Sequence, residues 1–226
     1  MYTILKKEVL NPTVTRMVID APFVAKRAKA GQFIILRVNE EGERIPLTIA
    51  DSDSEKGTVS IIFQIVGKTT MLLNTLEEGD SLHDFVGPLG KPSEIDGNEK
   101  VCIIGGGVGC AIAYPTAKAF HEAGSDVTTI VGFRNKDLVI LEDEFKECSD
   151  AYYLMSDDGS VGQKGVVTLK LEELIQSGEK FDKVIAIGPI IMMKFVCELT
   201  KKYNIPTVVS MNPIMIDGTG MCGGCR

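Results

Sequence analysis

The chain has 226 residues, 44% of them hydrophobic and 24% charged, with a formal net charge of −7. That length suits two globular domains of about a hundred residues each. The acidic balance excludes a phosphate-backbone partner, so no nucleic acid is expected. The longest uncharged run, Val101 to Ala117, is broken by glycines and a proline. It falls short of the roughly 20 apolar residues of a membrane-spanning helix.

The opening MYTILKKEVL lacks the apolar core of a signal peptide. Six cysteines without an export signal point to a reducing compartment, the cytoplasm. Cys102, Cys110, Cys148 and Cys197 fall in apolar or helical patterns, as small core residues do. The segments VTRMVID, GQFIILRVN, RIPLTIADS and GTVSIIFQIVG are β-branched and separated by turn residues, which predicts an antiparallel barrel or sandwich. A short helix is expected over TMLLNTLEEGD. The Gly/Pro/charge-rich stretch GPLGKPSEIDGNEK reads as a linker and sets a boundary near residue 97.

Beyond it the pattern changes. KVCIIGGG, DVTTIVGF, AYYLMSDD, KVIAIGP and PTVVSMN read as hydrophobic strands, and helical patterns fill the intervals. This alternation predicts a parallel sheet covered on both faces. The fold class is therefore a two-domain chain, with a β-barrel over 1–97 and an α/β domain over 98–212.

In VCIIGGGVGCAIAY a strand feeds a glycine-rich turn and then a helix. Gly105, Gly106, Gly107 and Gly109 allow close approach of a phosphate to backbone N–H groups, although such turns also serve packing alone. The second strand ends in Arg134 rather than the carboxylate of the usual dinucleotide fingerprint. In the barrel half, Arg44 precedes a proline-stiffened RIPLT, which by itself also fits an edge strand. Gly67, Lys68, Thr69 and Thr70 then form a second anion-seeking helix start.

The order Arg44-Ile45-Pro46-Leu47-Thr48, Val66-Gly67-Lys68-Thr69-Thr70, Gly87-Pro88-Leu89-Gly90, Gly105 to Gly109 and Ile187-Gly188-Pro189 resembles the ferredoxin–NADP reductase superfamily, end to end. The resemblance implies an FAD-binding barrel and a nicotinamide-binding α/β domain. It places the FAD pyrophosphate on Arg44 and on Gly67 to Thr70, and puts Thr48 near flavin N5, with Pro46 and Leu47 beside it. Leu47 stands where the family often has a stacking tyrosine. Gly188 and Pro189 join the glycine-rich turn as nicotinamide-nucleotide residues. Asp157 and Asp158 fall near the adenosine end, where carboxylates favour NAD over NADP; Arg134 and Lys136 pull the other way, and a plain polar turn is an equal reading of SDDG.

The ending MIDGTGMCGGCR places Asp217 five residues before Cys222, with Cys225 following. This compares with the Cys-x4-Cys-x2-Cys spacing of plant-type [2Fe–2S] clusters. In the superfamily, a branch with a C-terminal [2Fe–2S] segment includes the dihydroorotate dehydrogenase electron-transfer subunit. It also includes the small subunit of NADH-dependent reduced ferredoxin:NADP oxidoreductase, or sulfide dehydrogenase β subunit. The aspartate resembles the second. The resemblance implies Asp217, Cys222 and Cys225 as metal ligands, and residues 213–226 as a truncated start of that segment holding no stable cluster as given. A larger flavoprotein or iron–sulfur subunit is the expected partner. The competing readings are the dihydroorotate-type subunit and a flavin-free, nucleotide-binding structural subunit.

Overall fold

Aliphatic and β-branched residues alternating with polar ones make the first third of the chain strand-forming, since one face of each strand is buried and the other wet. The computed structural model describes residues 2–212, 214–216 and 221–225. It divides into two units, Met1–Ser93 with Met211–Arg226, and Glu94–Ser210.

The first unit holds β1 (Tyr2–Asn11), β2 (Val14–Asp20), α1 (Pro22–Ala25), β3 (Phe33–Arg37), β4 (Ile45–Asp53), β5 (Thr58–Gln64), α2 (Lys68–Thr75), β6 (Ser81–Leu82) and β7 (Asp84–Leu89). These strands form one antiparallel sheet in the order β6-β1-β2-β5-β4-β3-β7. Tyr2 pairs with Leu82 at one end of that order, and Arg37 pairs with Asp84 at the other. A single stretch, 81–89, thus supplies both terminal strands, and the sheet curls into a near-barrel with little free edge. Ile4, Met17, Ile34, Leu36, Ile61 and Phe63 are all buried inside it.

Two strands differ from the sequence-based expectation. The alternation of β1 is interrupted by Lys6-Lys7-Glu8, yet these charges are matched in the sheet: Glu8 lies opposite Arg16 and bonds to it at 2.7 Å. Gly87-Pro88-Leu89 belongs to β7 rather than to a linker.

The second unit holds β8 (Lys100–Gly106), α3 (Cys110–Glu122), β9 (Asp126–Phe133), α4 (Glu142–Glu147), β10 (Ala151–Ser156), β11 (Gln163–Lys164), α5 (Val167–Gln176), β12 (Lys183–Ile187), α6 (Ile190–Lys202) and β13 (Thr207–Val209). The strands are parallel in the order β11-β10-β9-β8-β12-β13. Val101, Cys102, Ile103 and Ile104 are all fully buried, as a strand covered on both faces must be. Leu171 of α5 and Val196 of α6 share a core with Cys102, Ile104 and Ile130. The rings of Tyr114 on α3 and Phe145 on α4 meet edge-on at 5.8 Å. No helix among the described residues is long and apolar enough to cross a membrane.

The chain order explains where this unit opens. From β8 the connection runs to β9 on one side, whereas from β12 it runs to β13 on the other. Adjacent parallel strands whose connections diverge leave a crevice at their carboxyl ends.

Candidate functional site

In the first unit, β4 and β5 pair from Asp53↔Thr58 as far as Ile49↔Ile61 and then part. Before Ile49, β4 is bonded on one side only, to β3, with Thr48↔Phe33, Leu47↔Ile34 and Pro46↔Ile35 in register. A proline is tolerated there because that side of the ladder needs no N–H. Ile45 and Leu47 pack against the barrel core. Alternation turns Pro46 and Thr48 to the other face. Leu47 therefore lies inward, away from the face that carries Thr48. The Thr48 hydroxyl makes no hydrogen bond to a described residue.

Opposite this unpaired segment, β5 leads into α2. Its first turn is closed by Met71 N–H donating to the Gly67 carbonyl at 2.8 Å. The Thr70 hydroxyl accepts from the Val66 and Gly67 N–H groups and donates to the Gly67 carbonyl, each at 3.0 Å. Its bonding capacity is used up, so Thr70 shapes the turn. The remaining first-turn N–H groups point out of the helix start with no acceptor within it. A Cβ at Gly67 would meet nothing within 4 Å, which leaves this start open. The helix is anchored behind: Leu73 is fully buried, Asn74 accepts from Thr15 at 2.7 Å, and Lys7 Nζ donates to the Asn74 carbonyl at 2.8 Å.

The two sides of the split meet. The Thr69 hydroxyl donates to the carboxylate of Glu43, at 3.1 Å, so the residue beside Arg44 touches the helix start. Arg44 itself is exposed and forms no ion pair among the described residues. An unpaired guanidinium, unpaired N–H groups and the positive end of a helix dipole fit a diphosphate. Glu43 and Asn74 escaped the sequence reading. Their partners lie 26 and 59 residues away, and no local pattern announces them.

In the second unit, the glycine-rich turn ends β8 and runs through a single 3-10 turn into α3. Most of its glycines are required by packing. A Cβ on Gly109 would sit 2.6 Å from the Ile187 carbonyl oxygen, and one on Gly106 would sit 2.4 Å from Met192 Sδ. Gly188 likewise lies against the Gly106 backbone, 3.1 Å from where its Cβ would stand. Gly107 differs: its φ is +55° and its open side meets nothing within 4 Å. The turn and Gly188-Pro189 thus flank the crevice between the ends of β8 and β12.

Asp157 and Asp158 follow β10, two strands away. Asp158 accepts from the Ser160 N–H at 2.9 Å, and that serine holds its carboxyl below the ordinary value. Asp158 is thereby a turn-forming residue, while the exposed side chain of Asp157 bonds to no described residue. Ser160 in turn accepts from the Lys136 N–H. The side chains of Arg134 and Lys136 are exposed.

Cys222 and Cys225 are exposed, and the Gly224 N–H lies 3.4 Å from Cys222 Sγ. Asp217 lies outside the described residues. Cys102, Cys110 and Cys148 are buried; desolvation pushes all three thiols up, Cys148 to about 11. Thiolate is the reactive form, so brief maleimide treatment of the native protein should label Cys222 and Cys225 and spare these three until denaturant is added. Peptide mass spectrometry reads the pattern directly.

Residues 2–93 match the model of the oxidoreductase FAD-binding domain. The dihydroorotate dehydrogenase B electron transfer subunit homolog of Thermotoga maritima is 50% identical over 223 residues, covering 99% of this chain and 78% of that one. The electron transfer subunit of Streptococcus pneumoniae is 33% identical, with 98% and 86% covered. The chain belongs to the dihydroorotate dehydrogenase B electron transfer subunit family. Within this flavoprotein family, the fold is shared with a chain from the structure of NADH-dependent reduced ferredoxin-NADP oxidoreductase, determined in a study of flavin-based electron bifurcation. That chain superposes with a TM-score of 0.92 at 49% identity, covering 100% of this chain and 81% of its own. The cytochrome b5 reductase domain of Ulva prolifera nitrate reductase shares the fold alone, at 17% identity and a TM-score of 0.70, with 92% and 96% covered. The two-unit architecture is thus that of the ferredoxin reductases, and the first unit is an FAD-binding domain of an oxidoreductase subunit.

Proposed function

We propose that this chain is an FAD-dependent electron-transfer subunit working between NAD(H) and a larger iron–sulfur or flavoprotein partner in the cytoplasm. The observation that carries this reading is the parting of β4 from β5, with Arg44 on one side and the bare start of α2 on the other. Arg44 neutralises the diphosphate, and the Lys68 and Thr69 N–H groups donate to its oxygens at the helix start. Pro46 and the Thr48 hydroxyl, on the outer face of β4, orient the ring near N5; Leu47 contributes from behind as core. Bound FAD supplies two-electron exchange with a nicotinamide and one-electron exchange with an iron–sulfur centre.

Gly107 and the packed Gly105, Gly106, Gly109, Gly188 and Pro189 form the crevice for the nicotinamide dinucleotide. Asp157 meets the adenosine ribose and repels a 2′-phosphate. Cys222 and Cys225, with Asp217, would serve as ligands toward a [2Fe–2S] cluster; thiolates suit iron, and a carboxylate can serve as the harder ligand.

The ferredoxin-NADP oxidoreductase chain at 49% identity and the dihydroorotate-type subunit homolog at 50% support both partner classes equally, and the aspartate at position 217 is what inclines the reading to the first. The test is anaerobic titration of the yellow protein. NADH should bleach the flavin band at lower concentration than NADPH, and Asp157→Ser should narrow that preference about five-fold, the worth of roughly one kcal/mol of charge interaction. Equal response to both nucleotides in the parent would overturn the NAD assignment, and a colourless protein would overturn the whole reading.

A further inference from the structure

The hydrogen bond between Glu43 and Thr69 is placed where no simple phosphate cradle would want it. A carboxylate stands next to Arg44 and against the second residue of α2, the region that a diphosphate is expected to occupy. Among the described residues, it is the one hydrogen bond between the 43–48 segment and the 66–70 turn. The remaining hold on the Arg44 loop is local: Arg37 Nη1 donates to the Glu40 carbonyl at 3.0 Å, and Gly42 N–H donates to the Asn39 carbonyl. Arg37 is itself clamped by Asp84 at 2.7 Å. The loop is thus fixed at its β3 end by a guanidinium and at its β4 end by Glu43.

We infer that Glu43 is a resident anion: its carboxylate, held by the Thr69 hydroxyl, sits beside the open positive end of α2, ties the two sides of the split between β4 and β5, and competes with an incoming diphosphate. The energetics are consistent with a competitor rather than a lock. An exposed anion beside a helix start is held only weakly, which leaves it displaceable by a doubly charged diphosphate that also gains Arg44. The competition sets flavin affinity below what Arg44 and the helix start alone allow. This inference rests on the diphosphate reading of the Gly67–Thr70 turn.

The decisive variant is Glu43→Gln, which keeps an oxygen to accept from Thr69 and removes the charge. FAD affinity of the flavin-stripped full chain, read by quenching of flavin fluorescence, should rise about two- to five-fold at low salt, the range of an exposed charge pair. The gain should fade at high salt, where the charges are screened; a purely structural role of the side chain has no such salt dependence. Glu40→Gln, a neighbouring exposed carboxylate, should leave affinity unchanged. Unchanged or weaker binding in Glu43→Gln, or an equal gain in Glu40→Gln, overturns the inference. Arg44→Ala run alongside separates the two levels. If it loses flavin while Glu43→Gln gains nothing, only the resident anion fails; if neither variant responds, the diphosphate reading fails as well.

Discussion

Arg44→Ala is expected to lower FAD affinity by about ten- to a hundred-fold, the worth of a charge-assisted hydrogen-bonding group at roughly 1.5–3 kcal/mol. The reason is that Arg44 forms no ion pair among the described residues. Its removal costs the fold nothing and costs the ligand a counter-charge. Stability of the flavin-free chain should therefore be unchanged, while the protein loses its yellow colour on gel filtration. Arg44→Lys keeps the charge but not the planar fork, so it should fall between the two. Unaltered flavin retention in Arg44→Ala would remove the pyrophosphate from this side of the split.

The second large effect separates two glycines only two residues apart. Gly109→Ala must push a methyl group against the Ile187 carbonyl oxygen, 2.6 Å away, and the Gly188 Cα, 2.7 Å away. Both obstacles are backbone, so β12 and α3 must move apart. Overpacking of this kind costs about 3 kcal/mol, or roughly 10 °C in the Tm of a domain this size. Gly107→Ala meets no obstacle, and its cost is the left-handed backbone, about 1 kcal/mol. Its methyl group instead fills the open side of the crevice, so nucleotide affinity should drop about ten-fold with only a small shift in Tm. Differential scanning fluorimetry and NADH titration of the two variants should thus give opposite rankings. If Gly107→Ala binds NADH normally, the nucleotide does not approach through that turn.

The division of the chain into a strand-rich and an alternating half is legible because both signals are local. β-Branched, apolar runs bounded by turn residues mark β2, β3 and β5, and glycine punctuation marks the strand-to-helix turn after β8. The first strand is not legible, because its pattern is broken by Lys6-Lys7-Glu8, whose partners Arg16 and Glu77 are supplied by other elements. Thr70 illustrates the limit at a site. Its hydroxyl reads as a phosphate ligand in the sequence, yet the structure spends all of it on the turn, and the open groups are backbone N–H that any residue would carry. Leu47 and Thr48 show the same point from the other direction. Adjacent residues in one motif take opposite faces of a strand, and only the register with Ile34 and Phe33 says which faces inward.

The stretch 81–89 has a consequence for how the first unit is made. Because Tyr2 must find Leu82, the ring of strands cannot close until some eighty residues have left the ribosome, however early the hairpin of β1 and β2 forms. Non-local closure of this kind slows folding and leaves β1 with an unsatisfied edge in the meantime. A nascent chain stalled before residue 81 should therefore present that edge to neighbours and to chaperones.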